Sequence, residues 1–368
     1  MKKTLFISAF SLDVGGIETA LIALLKNLNN EYDITLALEK KQGIFLKDVP
    51  ENVNVIEYKI SNKKNVITRK IENFKKQRKF KKEYGNKFDY SISYATYSKP
   101  CSFLARSASK NAILWVHNNY LEFFGDNVNA YKKFFKELKI NEFKKIVFVS
   151  EVDKNIFNAI MLKKAEKCVV CNNLIDYEEI IKKSNEQIDD FVKRDVPTFI
   201  NIARQDENQK KISRIINSTK RLNSEGYKFD VLLVGIGSST KNYKELAKNA
   251  LNIKFLGVKK NPYPYLKLSD CFLLSSQYEG YPVTLVEALI LQKFIVTTEI
   301  SDTKKDIDKK FGIVVENSEK GVYNGMKKFL DNFDNIQKGY FDSKNKIEKF
   351  SPEEYNERIM KKIREILN

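Results

Sequence analysis

SSQYEGYPVTLVEAL, residues 275–289, follows the apolar run Cys271–Leu274 and carries the signature of a strand–turn–helix unit. Four consecutive apolar residues read as a buried strand. Gly280 then permits a tight approach of backbone to a ligand. Pro282 suits a first helical turn, so Val283 and Thr284 present backbone N–H groups at a helix N-terminus. An anion site at the C-terminal end of a strand is the property of a doubly wound α/β sheet.

Outward from this segment, short apolar runs alternate with longer amphipathic stretches throughout the chain. Strands are expected at Thr4–Phe10, Asp33–Leu38, Asn54–Tyr58, Tyr90–Tyr94, Ile113–His117, Ile146–Val149 and Cys168–Cys171. A second series covers Thr198–Ala203, Val231–Val234, Ile253–Leu256, Cys271–Leu274, Phe294–Thr298 and Ile313–Val315. The polar stretch SNEQIDDFVKRDV, residues 184–196, lies between them and suits a linker. Two Rossmann-like, doubly wound α/β domains facing a cleft are therefore expected, at residues 1–184 and 197–350. SPEEYNERIMKKIREILN, residues 351–368, has Ser351 as N-cap and Pro352 at the first helical position, and reads as a terminal helix packing back toward the first domain.

The 368 residues suit two hydrophobic cores, and the net charge of +18 predicts an anionic partner, whether nucleic acid, lipid head groups or a phosphorylated small molecule. No stretch approaches the about 18 uninterrupted apolar residues of a membrane helix. MKKTLFISAFSL runs straight into Asp13, Gly15 and Gly16 and reads as a first strand rather than a secretory signal. Four scattered cysteines make no disulfide framework, which favours the cytoplasm. Cys168 and Cys171 form a lone C-x-x-C in a β-branched run and are expected to pack in the core.

Glu279 stands before the helix of the opening segment, and Glu287 lies inside it. Carboxylates accept hydrogen bonds from vicinal hydroxyls, so such a pair can hold sugars and riboses on either side of a diphosphate. Equally, Glu279 can cap the helix and Glu287 can be a solvated face residue.

The Glu-x7-Glu spacing within YEGYPVTLVEAL resembles the donor-site motif of retaining glycosyltransferases of family 4, which have the GT-B fold. The resemblance implies that Glu279 contacts the donor sugar and Glu287 the nucleotide ribose, while backbone amides from Gly280 and Tyr281 through Val283 and Thr284 bind the diphosphate. In NIARQDENQKK, residues 201–211, Arg204 and Lys210 match an Arg and a Lys that grip that diphosphate. Stabilising a leaving diphosphate is mainly electrostatic work, so no metal or other cofactor is expected. Ala203 and Lys211 depart from glycines usual in the family. Gly15 and Gly16 resemble an N-terminal loop closing over donor and acceptor. FLGVKKNPYPYLKLSD resembles the base-reading segment, through the backbone of Gly257 and Val258. His117, the protein's single histidine, ends ILWVH where the family has a histidine beside the donor's reacting centre.

Rival readings fare worse. Asp306 and Asp308 form a D-x-D amid lysines without further oxygen ligands. A nucleotide-sugar epimerase of the same fold, the alternative reading, would need its own acid/base groups around the sugar, for which a single histidine leaves few candidates. A dinucleotide enzyme would want G-x-G-x-x-G after the first strand, where only DVGGIE stands. A basic nucleic-acid-binding protein would show a recognisable module, and none is present, so no nucleic acid is expected as partner.

The expectation is a retaining, metal-independent enzyme moving a hexose or N-acetylhexosamine from a nucleotide sugar, with UDP the expected nucleotide. The expected acceptor is a lipid-linked saccharide in bacterial surface polysaccharide or glycan synthesis. The lysine-rich stretch Lys59–Lys87, interrupted by Ile67, Ile71, Phe74 and Phe80, reads as a helix with one buried stripe. Its charge, with that of AYKKFFKELKINEFKK (130–145), suits an anionic membrane surface, with Phe74 and Phe80 packing on the domain or dipping into lipid. The expected location is the cytoplasm, peripheral on the inner face of the plasma membrane.

Overall fold

The computed structural model describes residues 2–13, 15–161, 165–339 and 349–368. The chain forms two compact units, Met1–Ile175 with Asn356–Asn368, and Asp176–Tyr355.

The first unit is built on a seven-stranded sheet: β1 (Lys3–Ala9), β2 (Tyr32–Leu38), β3 (Asn54–Glu57), β4 (Tyr90–Ser93), β5 (Ala112–Val116), β6 (Lys145–Phe148) and β7 (Cys168–Val170), in the order β3-β2-β1-β4-β5-β6-β7. All pairings are parallel. The inner strands are buried because helices cover both faces, which is why they read as continuous apolar runs rather than alternating ones, while the edge strands β3 and β7 are only partly buried. Strand order reverses between β1 and β4, and the chain leaving β1 enters the helix Gly16–Leu28. The last helix, Pro352–Ile366, ends against this unit: Arg364 pairs with Glu31 at 2.7 Å, and Lys145 Nζ donates to the Ile366 carbonyl at 2.7 Å.

The second unit holds six parallel strands: β8 (Thr198–Ile202), β9 (Asp230–Val234), β10 (Ile253–Gly257), β11 (Cys271–Leu274), β12 (Phe294–Thr298) and β13 (Gly312–Val315). Their order is β10-β9-β8-β11-β12-β13, with the reversal between β8 and β11. One core, around Phe199, Ile215, Phe229 and Phe329, covers one face; another, around Ile200, Phe272, Leu285 and Leu289, covers the other. Ligands of such sheets bind beyond the carboxyl ends of the strands at the reversal. Here those ends lead into residues 203–211 and 275–282.

Two expectations need correction. Residues 184–196 are polar but stitched to the second unit: Ile188 and Phe191 pack on its core, Lys193 pairs with Asp270 at 2.8 Å, and Arg194 donates to Asp230 at 2.8 Å. The helix of the lysine-rich stretch spans Val66–Tyr84, and its buried side is not the stripe expected. Phe80 is 4% exposed, among Phe6, Ala37 and Leu104, whereas Ile67, Ile71 and Phe74 are 70%, 51% and 59% exposed. In the other basic stretch the aromatic residues Tyr131, Phe135 and Phe143 are buried in a core of the first unit with Leu114, Phe148 and Phe157, and Phe134 packs against it partly buried.

Candidate donor site

The segment 275–282 leaves β11 and reaches the helix Val283–Ile290. Pro282 stands one position earlier than expected, as the N-cap with extended backbone, and no side chain caps this end. The segment is held from both sides. Arg214 donates to the Ser275 carbonyl at 3.2 Å and to Gln277 Oε1 at 2.8 Å. Asn317 donates to the Gln277 carbonyl at 2.7 Å, and Thr298 Oγ1 to the Ser276 carbonyl at 2.7 Å. Ser301 donates to the Gly280 carbonyl. A loop fixed in this way presents its amides without ordering cost at binding.

Residues 203–211 run alongside. Gln277 N–H donates to the Gln209 carbonyl at 2.7 Å, and Ser275 Oγ to the Lys210 carbonyl at 2.9 Å, so the two strand-end loops are joined. Lys210 Nζ contacts Glu279 Oε1. Ser276 Oγ donates to the same oxygen at 2.7 Å, and Gln209 Nε2 to Glu279 Oε2 at 3.3 Å. Glu279 is therefore buried and bound within the site, not spent on capping the helix. Arg204 is exposed, with a long contact of 3.4 Å from its guanidinium to Gln209 Oε1.

Glu287 is 5% exposed, which removes the solvated-face alternative. Tyr263 OH donates to its Oε1 at 3.1 Å. Burial pushes the Glu287 carboxyl up to about 7, and the Tyr263 hydrogen bond opposes that rise by favouring the charged form. Gly257 ends β10 with φ of +68°, a left-handed conformation suited to glycine, and is followed by exposed Val258. The Tyr281 hydroxyl is directed to Asp306, so what Tyr281 offers the loop is its backbone. Asp308 accepts from Val314 N–H at 3.2 Å, so both carboxylates of the D-x-D serve local structure.

Arg204, Lys210, Glu279, Gly280 and the head of the helix with Val283 and Thr284 thus gather at the ends of β8 and β11. Gly15, Gly16 and His117 belong to the first unit. Gly15 is the N-cap of Gly16–Leu28, where a Cβ would stand 2.2 Å from Glu18 Oε2. His117 follows β5, is buried, and has Tyr94 at 4.4 Å between ring centroids. Burial pushes its imidazole down to about 3, against a weaker opposing contact from Asn173. A neutral imidazole at working pH donates one hydrogen bond and accepts one, without acting as a cation.

Gln209, Ser276, Arg214 and Tyr263 were not singled out by sequence. Tyr263 and Gln209 lie inside the two matched segments, but nothing local marks their partners 24 and 70 residues away.

Residues 183–338 match the sequence family described as "Glycosyl transferases group 1". An uncharacterized glycosyltransferase of Methanocaldococcus jannaschii is 30% identical over 208 residues, 53% of this chain and 50% of the relative. The N-acetylgalactosamine-N,N'-diacetylbacillosaminyl-diphospho-undecaprenol 4-alpha-N-acetylgalactosaminyltransferase of Campylobacter jejuni is 29% identical over 48% of this chain and 47% of its own length. The chain thus spans about half the length of the curated relatives it matches. Among solved structures, HepE of Anabaena in complex with UDP and glucose superposes with a TM-score of 0.72 over 98% of this chain and 99% of its own, at 14% identity. That likeness establishes the fold as GT-B.

Proposed function

We propose, from a chain whose residues 183–338 form a glycosyl transferases group 1 domain, that the protein transfers a hexose or N-acetylhexosamine from a nucleotide sugar to a saccharide acceptor. The observation that carries this is the gathering of Lys210, Glu279 and the uncapped head of the helix Val283–Ile290 at the sheet's switch point, with Glu287 buried one turn further on. An anion at that helix head meets backbone N–H groups, and Arg204 and Lys210 supply the positive charge. Glu279 then faces the sugar side of the diphosphate and Glu287 the ribose side, with the base near Gly257 and Val258.

In the proposed reaction the bond from the sugar's anomeric carbon to the diphosphate breaks and one to the acceptor oxygen forms on the same face. The acceptor's proton passes to the departing diphosphate. Two cations on the protein do the electrostatic work, so activity is independent of metal. His117 is assigned its place beside the reacting carbon by resemblance alone. UDP as the nucleotide follows the HepE complex, and a lipid-linked acceptor follows the relative named for a diphospho-undecaprenol substrate. Such an acceptor would bring the enzyme to the inner face of the plasma membrane, in the synthesis of surface glycans. Among the described residues no helix is long and apolar enough to cross a membrane.

A panel of nucleotide sugars tested by thermal shift, then by donor turnover with and without EDTA, tests the proposal. A UDP-sugar should raise the melting temperature and be turned over equally under chelation. Loss of turnover in EDTA with recovery in manganese would overturn the metal-free mechanism, and indifference to every nucleotide sugar would overturn the activity.

A further inference from the structure

The helix Val66–Tyr84 carries an outward apolar stripe that the first domain does not use. At about 100° per residue, Ile67, Ile71 and Phe74 fall within roughly 60° of one another, on the far side of the helix from buried Phe80. All three are more than half exposed, and Val66 at the helix start is 51% exposed. Arg78 continues the stripe, with its guanidinium 5.9 Å from the Phe74 ring centre. Isolated exposed apolar residues are ordinary, but an aligned set on one helix face marks an interaction surface.

The charge around the stripe has one sign. Lys70 and Lys81 flank it on one side and Lys75 and Lys82 on the other, all exposed, with Lys63 and Lys64 before the helix. The two acidic residues of the helix, Glu72 and Glu83, lie round the back, more than about 100° from the stripe. Glu72 is further engaged with Ser61 at 2.8 Å and Lys76 at 3.2 Å. The opposite face is anchored: Asn73 accepts from Ser61 N–H at 2.7 Å, Lys76 donates to the Lys59 carbonyl at 3.0 Å, and Phe80 sits in the core. The helix is thereby held with its apolar stripe outward.

We propose that this face lies in the head-group region of an anionic lipid bilayer, with Ile67, Ile71 and Phe74 entering the acyl boundary and the flanking lysines meeting lipid phosphates. A nucleic acid would satisfy the lysines and leave the apolar stripe in water, and a second copy of this chain would bring like charge against like. The inference builds on the lipid-linked acceptor proposed above, and its test does not pass through catalysis. Phe80, buried in the core, takes no part in it.

The test is co-sedimentation with vesicles of equimolar phosphatidylglycerol and phosphatidylcholine, against vesicles of phosphatidylcholine alone and against an oligonucleotide. The wild type should bind the anionic vesicles at low salt and weaken as salt rises. The combined variant Ile67→Ser, Ile71→Ser, Phe74→Ser should lose at least about tenfold in vesicle partition while melting and responding to UDP as the wild type does. In Phe74→Trp, emission should shift to the blue on vesicles, since the native Trp115 is buried already. A wild type that ignores anionic vesicles, a serine variant that binds them undiminished, or preference for the oligonucleotide would each overturn the proposal. Loss of the UDP response with vesicle binding intact would instead overturn the donor site and leave this surface standing.

Discussion

Lys210 and Glu279 form an ion pair at the switch point of the second sheet, with 17% and 9% of their side chains exposed. In the proposed reaction the diphosphate claims the first and the sugar hydroxyls claim the second. The two charges hold each other, so neither is left buried and alone. Donor binding as proposed would exchange that pair for two new partners.

Lys210→Ala should therefore act twice. It leaves Glu279 with only its neutral partners Ser276 and Gln209, which should cost about 1–3 kcal/mol in urea unfolding. It should also lower turnover by about 10²-fold, as should Arg204→Ala, whose exposed side chain carries no comparable stability cost. Glu279→Gln should mainly lower turnover and spare UDP affinity. A Lys210→Ala protein that is destabilised yet fully active would make the pair purely structural.

Glu287 gives a pH signature. Ribose hydroxyls donate to a carboxylate, so UDP affinity should fall as pH drops through about 7 in the wild type and vary less in Glu287→Gln. Tyr263→Phe removes a bond to the charged form and should move the midpoint upward. Stability runs the other way. The folded pKa is raised above the ordinary 4.5, so the protonated group's contribution is full below 4.5 and lost as pH rises through about 7. The advantage of Glu287→Gln over wild type in thermal melts should accordingly grow toward alkaline pH. A flat affinity profile in the wild type would remove Glu287 from the ribose.

His117 should stay neutral across the working range, because burial holds its imidazole near 3. As the protein's single histidine, it gives one resolvable imidazole signal by NMR, and that signal should not titrate between about pH 5 and 8. His117→Ala should lower turnover without changing the UDP thermal shift, and His117→Asn should recover part of it through its amide. A titrating signal would contradict the buried neutral form.

Lys211 is the departure from glycine that the structure explains: it holds φ of +49°, left-handed, as N-cap of the helix Ile212–Ser224. A side chain there costs about 1 kcal/mol, so Lys211→Gly should raise the unfolding midpoint and leave UDP binding unchanged. A fall in stability would mean that its 3.9 Å contact with Glu207 outweighs the backbone strain.

The sheets were legible because parallel strands buried on both faces leave apolar runs such as CFLL and ILWV, though their ends came out a residue long or short. Arg204, Lys210, Glu279 and Glu287 stood out by position after a strand or within one motif. Their partners did not, since the Tyr263–Glu287 and Gln209–Glu279 bonds depend on how separate segments meet. The basic helix was misjudged by grouping Phe80 with Phe74. Six residues apart, at about 100° each, they lie on different sides, and only packing reveals which side is inside.

The strand-end residues of the second domain, as proposed, hold a nucleoside diphosphate, and calorimetric titration of UDP into the wild type, Glu287→Ala and the double variant Arg204→Ala, Lys210→Ala measures that grip. Saturable binding at one site is predicted, weakened at least about tenfold in each variant. Absence of binding by UDP and every other nucleoside diphosphate, or binding of equal strength in all three proteins, would contradict it.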